Sequence, residues 1–194
     1  MRVFLPRLKP RASNALYSDS AMFYRAGKVD VTMKIGIISD THSNWAAIDE
    51  ALNIANNMDI WLHLGDCTPD AEYLATTYNV QVYGVAGNCD WPNQHTCYER
   101  VVDLVGHRIF MTHGHNYGVR YTQEYVMEAA EKQGADIAIF GHTHIVEYLS
   151  GPPVLLNPGS ASRPRDDERS SFMIMELEPN IVPKITIVRM KRVI

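Results

Sequence analysis

The sequence lacks most of the features that would place it in a specialised class of protein. Its 194 residues contain three cysteines, an odd number without CxxC spacing, which argues against a disulfide framework and mildly for a reducing compartment. No apolar run approaches the roughly 18 residues that a membrane span needs. The formal net charge of −4 excludes a global basic field for nucleic acid. We therefore expect a cytoplasmic globular protein without membrane association, long enough to bury its own core.

The first 32 residues differ in character from the rest of the chain. They carry six basic and two acidic residues, lack a clean hydrophobic period and include two prolines. At Met33 the sequence changes to Met-Lys-Ile-Gly-Ile-Ile, which is typical of a start followed directly by a buried strand. We predict that residues 1–32 form a basic N-terminal extension outside the core and that residues 33–194 form the functional domain. Three origins stay open for the extension: a start site assigned too early, a native arm, or a targeting segment.

From Met33 onward, short apolar strands alternate with amphipathic helices. Residues 34–39 form an isoleucine-rich run of the kind that is buried on both faces of a sheet. Asn44 can cap a helix whose apolar residues recur at helical spacing, and a second helix is predicted over residues 70–77. Later strands outnumber helices: residues 99–105 and 108–112 flank a predicted turn at Gly106-His107, and residues 171–178 and 184–191 alternate as a closing antiparallel pair. This order predicts an α/β (α+β) fold with a mixed sheet, or two packed sheets, and helices outside.

Five polar clusters directly follow five of the predicted strands. They combine carboxylates, amides and imidazoles, mostly beside glycines: Asp40-Thr41-His42, Gly65-Asp66, Gly87-Asn88-Cys89-Asp90, His113-Gly114-His115 and Gly141-His142-Thr143-His144. In α/β sheets, ligands bind at the edge where the carboxyl ends of the strands meet. A single Gly-Asp or Asp-x-His is more often a turn or a cap. Five such clusters at one edge predict a binding site.

The candidate ligands in these clusters are two aspartates, one asparagine and four histidines. Nitrogen and oxygen donors of this type suit Mn, Fe, Ni, Zn or Co better than calcium or a thiolate zinc site. Seven ligands exceed what one catalytic ion with open positions can use, so they favour two divalent ions that share a bridging carboxylate. Such a pair of ions suits an in-line displacement at phosphorus by a metal-activated hydroxide.

The order of these motifs resembles the signature of the calcineurin-like metallophosphoesterases, and the resemblance spans about residues 33–192. The Gly-Asn-Cys-Asp variant and the later Asn157-Pro158-Gly159-Ser160 are similar to the small YfcE-type phosphodiesterase subgroup. The resemblance implies an αββα four-layer sandwich, in which two mixed β-sheets are flanked by helices. It also implies a dinuclear hydrolase that cleaves a phosphodiester by direct in-line attack of a metal-bridging hydroxide.

The resemblance also assigns a role to each candidate ligand. One ion would be held by Asp40, His42 and His144, and the other by Asn88, His113 and His142, with Asp66 bridging the two. Manganese is the first expectation for both ions, and nickel, iron, cobalt and zinc are the alternatives. Asn88 would in addition orient a phosphate oxygen, because a side-chain amide supplies both a donor and an acceptor.

Cys89 departs from the family pattern, since many members have a histidine there that protonates the leaving group. A thiol, with an ordinary pKa of about 8.5, is a poor replacement, so esters with good leaving groups are expected to react faster. His115 is the alternative acid, although a structural role is equally open. Asp90 is expected either to orient a histidine ligand through its free ring nitrogen or to cap its own loop.

The remaining polar residues receive simpler interpretations. His63 is expected to be hydrogen-bonded in the core, and His95 and His107 are expected to be exposed to solvent. A role near the site and an ordinary turn or loop stay open for residues 157–160 and for two arginines that could steer a phosphate, Arg163 and Arg165.

Two classes of function follow from the sequence: a phosphoesterase that acts on a small-molecule diester, and a non-catalytic scaffold built on the same fold, as in retromer. All seven ligand positions match the motifs, which favours the enzyme, and a phosphomonoesterase with the same site is the alternative within that class. The domain after residue 32 is more acidic than the whole chain and has no basic stripe, so long nucleic acid is not an expected substrate. Assembly into a homo-oligomer stays open.

Overall fold

The computed structural model describes residues 32–92, 96–166 and 168–191. Residues 1–31, which make up nearly all of the predicted N-terminal extension, and His95 lie outside the described residues. In chain order the elements are β1 (Met33–Ile38), α1 (Trp45–Ile54), β2 (Ile60–His63), α2 (Thr68–Tyr78), β3 (Gln81–Gly84), β4 (Glu99–Leu104), β5 (His107–Thr112), a 3₁₀ turn (His115–Tyr117), α3 (Glu124–Lys132), β6 (Ile137–Ile139), β7 (Val146–Leu149), β8 (Val154–Pro158), β9 (Ser171–Leu177) and β10 (Lys184–Arg189).

The strands form two mixed sheets of five. The first has the order β10-β9-β1-β2-β3, in which β1, β2 and β3 are parallel and β9 and β10 return antiparallel. The second has the order β4-β5-β6-β8-β7, in which β5, β6 and β8 are parallel and the two edge strands are antiparallel. Helices α1 and α2 supply the crossovers between the parallel strands of the first sheet.

Three hydrophobic cores hold the layers together. Alternate residues of both sheets, such as Ile35 and Ile37 of β1 and Met111 of β5, fill the space between the sheets. The outer face of the first sheet packs against α1 and α2, and the outer face of the second packs against α3. The expected αββα sandwich of two mixed sheets is thus confirmed.

The helix boundaries follow local chemistry. The side chain of Asn44 accepts a hydrogen bond from the backbone N–H of Ala47, as expected of an N-cap. Helix α2 begins at Thr68 instead of the predicted Asp70, because Pro69 fits the first turn and a distant carboxylate binds the leading backbone amides. No helix in the described ranges is long and apolar enough to cross a lipid bilayer.

His107 does not lie in an exposed turn, and that prediction is wrong. The turn is formed by Val105 and Gly106, both with positive φ, and His107 is the first residue of β5. Its side chain is buried, because one ring nitrogen contacts the carboxylate of Asp136 and the other donates to the carbonyl oxygen of Glu178. Both partners are remote in sequence, so the local pattern could not indicate them.

Gly36, in the middle of β1, should be the least replaceable residue of that strand. A Cβ atom there would lie 2.5 Å from ring atoms of Trp61, which is itself buried under α1 and α2. We expect Gly36→Ala to lower the free energy of unfolding by about 1–3 kcal/mol in urea denaturation. Gly151→Ala is the matched control, because its nearest neighbour would be 3.8 Å away. Equal effects of the two substitutions would contradict this account.

Candidate metal centre

The predicted clusters meet at one edge of the sandwich. His42 and His144 are 102 residues apart, yet their Nε2 atoms lie 3.3 Å from each other. On the adjacent side, Nε2 of His113 lies 3.3 Å from Oδ1 of Asp66 and 3.2 Å from Oδ1 of Asn88. The two sheets therefore contribute ligand groups to one shared site.

The backbone at this edge is strained at most of the candidate ligands. Five of the seven have a positive φ: Asp40 (52°), His42 (46°), Asp66 (57°), His142 (68°) and His144 (63°). A left-handed conformation costs an L-residue roughly 1–2 kcal/mol, so it persists only where the surroundings enforce it. This concentration of strain indicates that the positions of the side chains at this edge are maintained at the expense of a favourable backbone conformation.

The first group of ligand atoms contains acceptors that face each other. One ligand atom from each of Asp40, His42, Asp66 and His144 lies within 4.8 Å of all the others. Nδ1 of His144 donates to the carbonyl oxygen of Arg163 at 2.6 Å, so Nε2 of the neutral ring carries no proton. This Nε2 lies 3.1 Å from Oδ1 of Asp40, a buried oxygen that accepts no hydrogen bond. Two bare acceptors at this distance would repel each other, and a cation between them would remove the conflict.

The second group is similar, except that its carboxylate oxygen, Oδ1 of Asp66, also accepts a hydrogen bond from a backbone N–H. Nδ1 of His113 donates to the carbonyl oxygen of Leu64 at 2.6 Å, which leaves Nε2 of the neutral ring as an acceptor beside Asp66 and Asn88. The ring centroid of His142 lies 5.1 Å from that of His113. Neighbouring ligands of one ion with bonds of about 2.0–2.2 Å are separated by about 3–3.6 Å, which is close to the distances from Nε2 of His113 to Asp66 and Asn88. Among the described His, Cys, Asp and Glu side chains, the first group is the one whose ligand atoms all lie within 4.8 Å of one another, and its nitrogen and oxygen donors fit a divalent metal ion.

Asp66 lies between the two groups. Its Oδ2 is 3.8 Å from Nε2 of His42, while its Oδ1 faces His113 and accepts a hydrogen bond from the backbone N–H of Cys89. Gly87 permits this approach, because a Cβ at that position would lie 2.2 Å from Oδ1 of Asp66. One carboxylate is thus placed to serve both groups.

Electrostatics favour the protonation states that bind metal. Burial opposes ionisation of Asp40, but His144 and His113, when protonated, together with a hydrogen bond from Ser39, hold the pKa of the carboxyl below its usual range. Burial, together with the charge that His113 acquires on protonation and the charge of Arg120, lowers the pKa of His142 to about 4. An ionised carboxylate and a neutral imidazole are the forms that coordinate metal ions.

Cys89 and His115 lie beside the ligand groups, and their roles stay predictions. Cys89 is an exposed residue, but partial desolvation of its thiol by the surrounding protein and the nearby charge of Asp66 raise its pKa. The ring centroid of His115 lies 5.4 Å from that of His113, and its buried Nδ1 has no hydrogen-bond partner among the described residues. Neither contact pattern assigns the proton donor.

Asp90 supports the loops and does not orient a histidine, so the first of its two interpretations is wrong. Its carboxylate accepts hydrogen bonds from the backbone N–H groups of Gly87, Cys67 and Thr68 at 2.9–3.1 Å. Burial alone would raise the pKa of Asp90, but these bonds lower it. Backbone carbonyls, and no carboxylate, orient the rings of His113 and His144.

Asp70 is a supporting residue that the sequence did not reveal. It is fully buried and accepts hydrogen bonds from Thr41 Oγ1 (2.6 Å), Ser43 N (2.8 Å) and Trp45 Nε1 (3.0 Å). Nε2 of His63, buried as expected, lies 3.1 Å from the same Thr41 hydroxyl. The network fixes the loop that carries Asp40 and His42. In the sequence, an aspartate near a helix start suggests only a favourable interaction with the helix dipole.

Residues 157–160 lie directly beneath the ligand loops, which confirms the site-proximal interpretation. Nδ2 of Asn157 donates to the carbonyl oxygen of Gly141, and Oγ of Ser160 donates to that of Asp40. The backbone of Arg163 serves His144, while the side chain of Arg163 is exposed.

The motifs and geometry agree with a match to a known family. A model described as the calcineurin-like phosphoesterase superfamily domain matches residues 33–180. The chain belongs to this superfamily. One relative is the probable metallophosphoesterase YsnB of Bacillus subtilis. It is 34% identical over 153 residues, which cover 75% of this chain and 85% of YsnB. A phosphodiesterase of Methanocaldococcus jannaschii is 32% identical over 149 residues, covering 66% of this chain and 83% of the relative.

Solved structures share the fold. A predicted phosphoesterase from Streptococcus pneumoniae aligns with a TM-score of 0.70 at 23% identity, over 83% of this chain and 91% of that one. Vps29 of Entamoeba histolytica in complex with zinc gives 0.64 at 23%, over 81% and 99%. The YfcE phosphoesterase of E. coli gives 0.56 at 23%, over 82% and 100%. The expected family and fold are thus confirmed, whereas the activity needs evidence from the site itself.

Divalent metal should stabilise the folded protein. An ion at 100 times its dissociation constant contributes about 2.7 kcal/mol, which corresponds to a rise in Tm of about 5–11 °C for a chain of this size. We expect Mn²⁺ or Zn²⁺ to raise the Tm of chelator-treated protein in differential scanning fluorimetry. Asp66→Asn should lose most of this rise, and Asp103→Asn, a surface carboxylate paired with Arg108, should keep it. Equal shifts in both variants would contradict a metal site at Asp66.

Proposed function

We propose that this protein is a divalent-metal-dependent phosphodiesterase that hydrolyses a small-molecule diester at a site for two ions. The main support is two close contacts between acceptor atoms. Oδ1 of Asp40 faces Nε2 of His144, and Oδ1 of Asp66 faces Nε2 of His113. Membership in a phosphoesterase superfamily and a relative named a phosphodiesterase support the class of reaction.

In this proposal each group of ligands holds one ion. Asp40, His42 and His144 hold the first, Asn88, His113 and His142 hold the second, and Asp66 bridges them. Manganese is the metal we propose, with nickel, iron, cobalt or zinc as substitutes that the same ligands accept. When bound, the ions would supply Lewis-acid stabilisation of the phosphoryl oxygens and a water of lowered pKa, so that hydroxide is available near neutral pH.

The residues of the chain supply position and charge. The carbonyl oxygens of Leu64 and Arg163 keep Nε2 of His113 and His144 unprotonated in the neutral rings. Asn88 is exposed at the edge, where its amide can donate to a phosphate oxygen. Because these groups are fixed by the fold before substrate arrives, little ordering is needed during the reaction. We propose direct hydrolysis without a covalent phospho-enzyme.

The test compares two chromogenic substrates, bis(4-nitrophenyl) phosphate and 4-nitrophenyl phosphate, with chelator-treated protein. We expect no turnover without metal, recovery with Mn²⁺, and a higher kcat/KM for the diester. Asp66→Asn should lower kcat/KM by more than about 100-fold, since it removes the shared ligand, while Asp103→Asn should match the wild type.

Other outcomes of this assay would count against the proposal. Undiminished activity in the presence of chelator would refute the metal-dependent mechanism. A preference for the monoester would favour a phosphomonoesterase. Absence of turnover with every metal would favour the scaffold alternative.

Replacing Cys89 by histidine tests the expected lack of an efficient proton donor. Cys89→His should raise kcat/KM by about 10-fold or more for alkyl or other poor leaving groups, and little for nitrophenolate, which needs no protonation. A series of diesters with leaving groups of increasing pKa measures this dependence. Cys89→Ser is the control and should leave the slope unchanged. A gain from Cys89→His that is equal for all leaving groups would refute the explanation.

A further inference from the structure

A cavity of about 510 Å³ opens beside the candidate metal centre. Its volume lies within the range of sites that bind small organic molecules. The residues that matter for its chemistry are Val119, Arg120, Gln123, Thr143, Ile145 and Arg165.

The cavity adjoins the ligand loop directly. Thr143 lines it and stands between His142 and His144 in the chain. The backbone N–H of Arg165 donates to the carbonyl oxygen of His144 at 3.0 Å, so the segment with the second arginine is tied to the same loop. A substrate whose phosphorus lies at the metal ligands can therefore extend into this cavity.

Two arginines that line the cavity form no ion pair with a carboxylate of the described residues. Arg120 and Arg165 are exposed, and neither has a carboxylate of a described residue within ion-pair distance. Two arginines outside the cavity differ: Arg108 pairs with Asp103 at 2.8 Å, and Arg189 pairs with Asp166 at 2.9 Å. Arginines left without carboxylates in a concave site are suited to an anionic ligand.

The remaining lining adds an apolar wall and one acid. Ile145, which is half-exposed, provides apolar surface for a carbon skeleton, and the buried Val119 lies behind it. Glu147 also lines the cavity, and its carboxylate accepts a hydrogen bond from Nε2 of Gln123 at 3.1 Å. The two guanidinium groups outnumber this single carboxylate, so the cavity keeps a net positive charge.

We propose that this cavity is a substrate subsite, in which Arg120 and Arg165 bind a second anionic group, a phosphate or a carboxylate, carried by the organic part of the diester. The proposal rests on the proposed function, because it assumes that the scissile group lies at the metal ligands. Guanidinium groups bind both kinds of anion with paired, charge-assisted hydrogen bonds. Since the second group does not react, the interaction should act on binding of substrate and transition state alike and therefore chiefly on KM.

The experiment uses matched diesters that share a 4-nitrophenyl leaving group. One is the 4-nitrophenyl ester of a nucleoside 5′-monophosphate, the second carries an additional 3′-phosphate, and the third carries a carboxylate in place of that phosphate. With Mn²⁺-loaded protein, we expect kcat/KM to be about 10- to 100-fold higher for a substrate with the second anion, through a lower KM. The better of the two anionic substrates identifies the anion.

Arg120→Gln and Arg165→Gln should remove this advantage by raising the KM of the substrates that carry the second anion. Arg108→Gln, which alters a surface arginine outside the cavity, should keep the advantage. Equal kcat/KM for all three substrates in the wild type, or an advantage that survives both cavity variants, would overturn the subsite while leaving the proposed phosphodiesterase intact.

A binding measurement separates the subsite from the proposed reaction. Chelator-treated protein is titrated calorimetrically with a nucleoside 3′-monophosphate at low salt. We expect binding that persists in Asp66→Asn and is lost in Arg120→Gln and Arg165→Gln. If this result is obtained but no diester is hydrolysed, the anion site stands and the proposed function fails. Absence of arginine-dependent binding would overturn the anion site.

Discussion

The structure depends on one electrostatic constraint at the candidate metal centre. Hydrogen-bond acceptor atoms lie close to each other there, with no donor between them. Oδ1 of Asp40 and Nε2 of His144 face each other, as do Oδ1 of Asp66 and Nε2 of His113. Such an arrangement is unfavourable by itself, so the surrounding chain must hold it. It does so with hydrogen bonds on the outer side of each group and with left-handed backbone at five ligand positions. The same constraint explains the fit to cations, because binding a positive ion relieves the repulsion that folding imposes.

The sequence reveals those residues of the site that lie in short, contiguous motifs. Each ligand motif follows a strand within a few residues, and parallel strands of one sheet bring their carboxyl ends to one edge, so the sequence alone suffices to place Asp40 and Asp66 together. The four-layer arrangement followed from the resemblance of the ordered motifs to a family. Strand order within each sheet, which sets the neighbours of every loop, has no local signature.

The supporting residues could not be found in this way, because their partners are distant in the chain. Asp70 binds a hydroxyl 29 residues away, and Asp90 binds amides 22 and 23 residues away. The fold alone does not identify the function, because it is shared by Vps29 and the YfcE phosphoesterase. Function must therefore be argued from the site, where the acceptor groups and the adjacent arginine-lined cavity are chemical facts about this chain.

The buried ring of His107 has a mechanical consequence. It connects β5 of one sheet to the carbonyl oxygen of Glu178, just beyond β9 of the other, at the end of the sandwich opposite to the candidate centre. At the near end, His113 and Ser160 cross between the sheets to the carbonyl oxygens of Leu64 and Asp40. Apolar packing between the two sheets is close but not directional. The polar bonds at both ends add directional restraints against shear between the sheets, which helps to preserve the ligand spacings that span them.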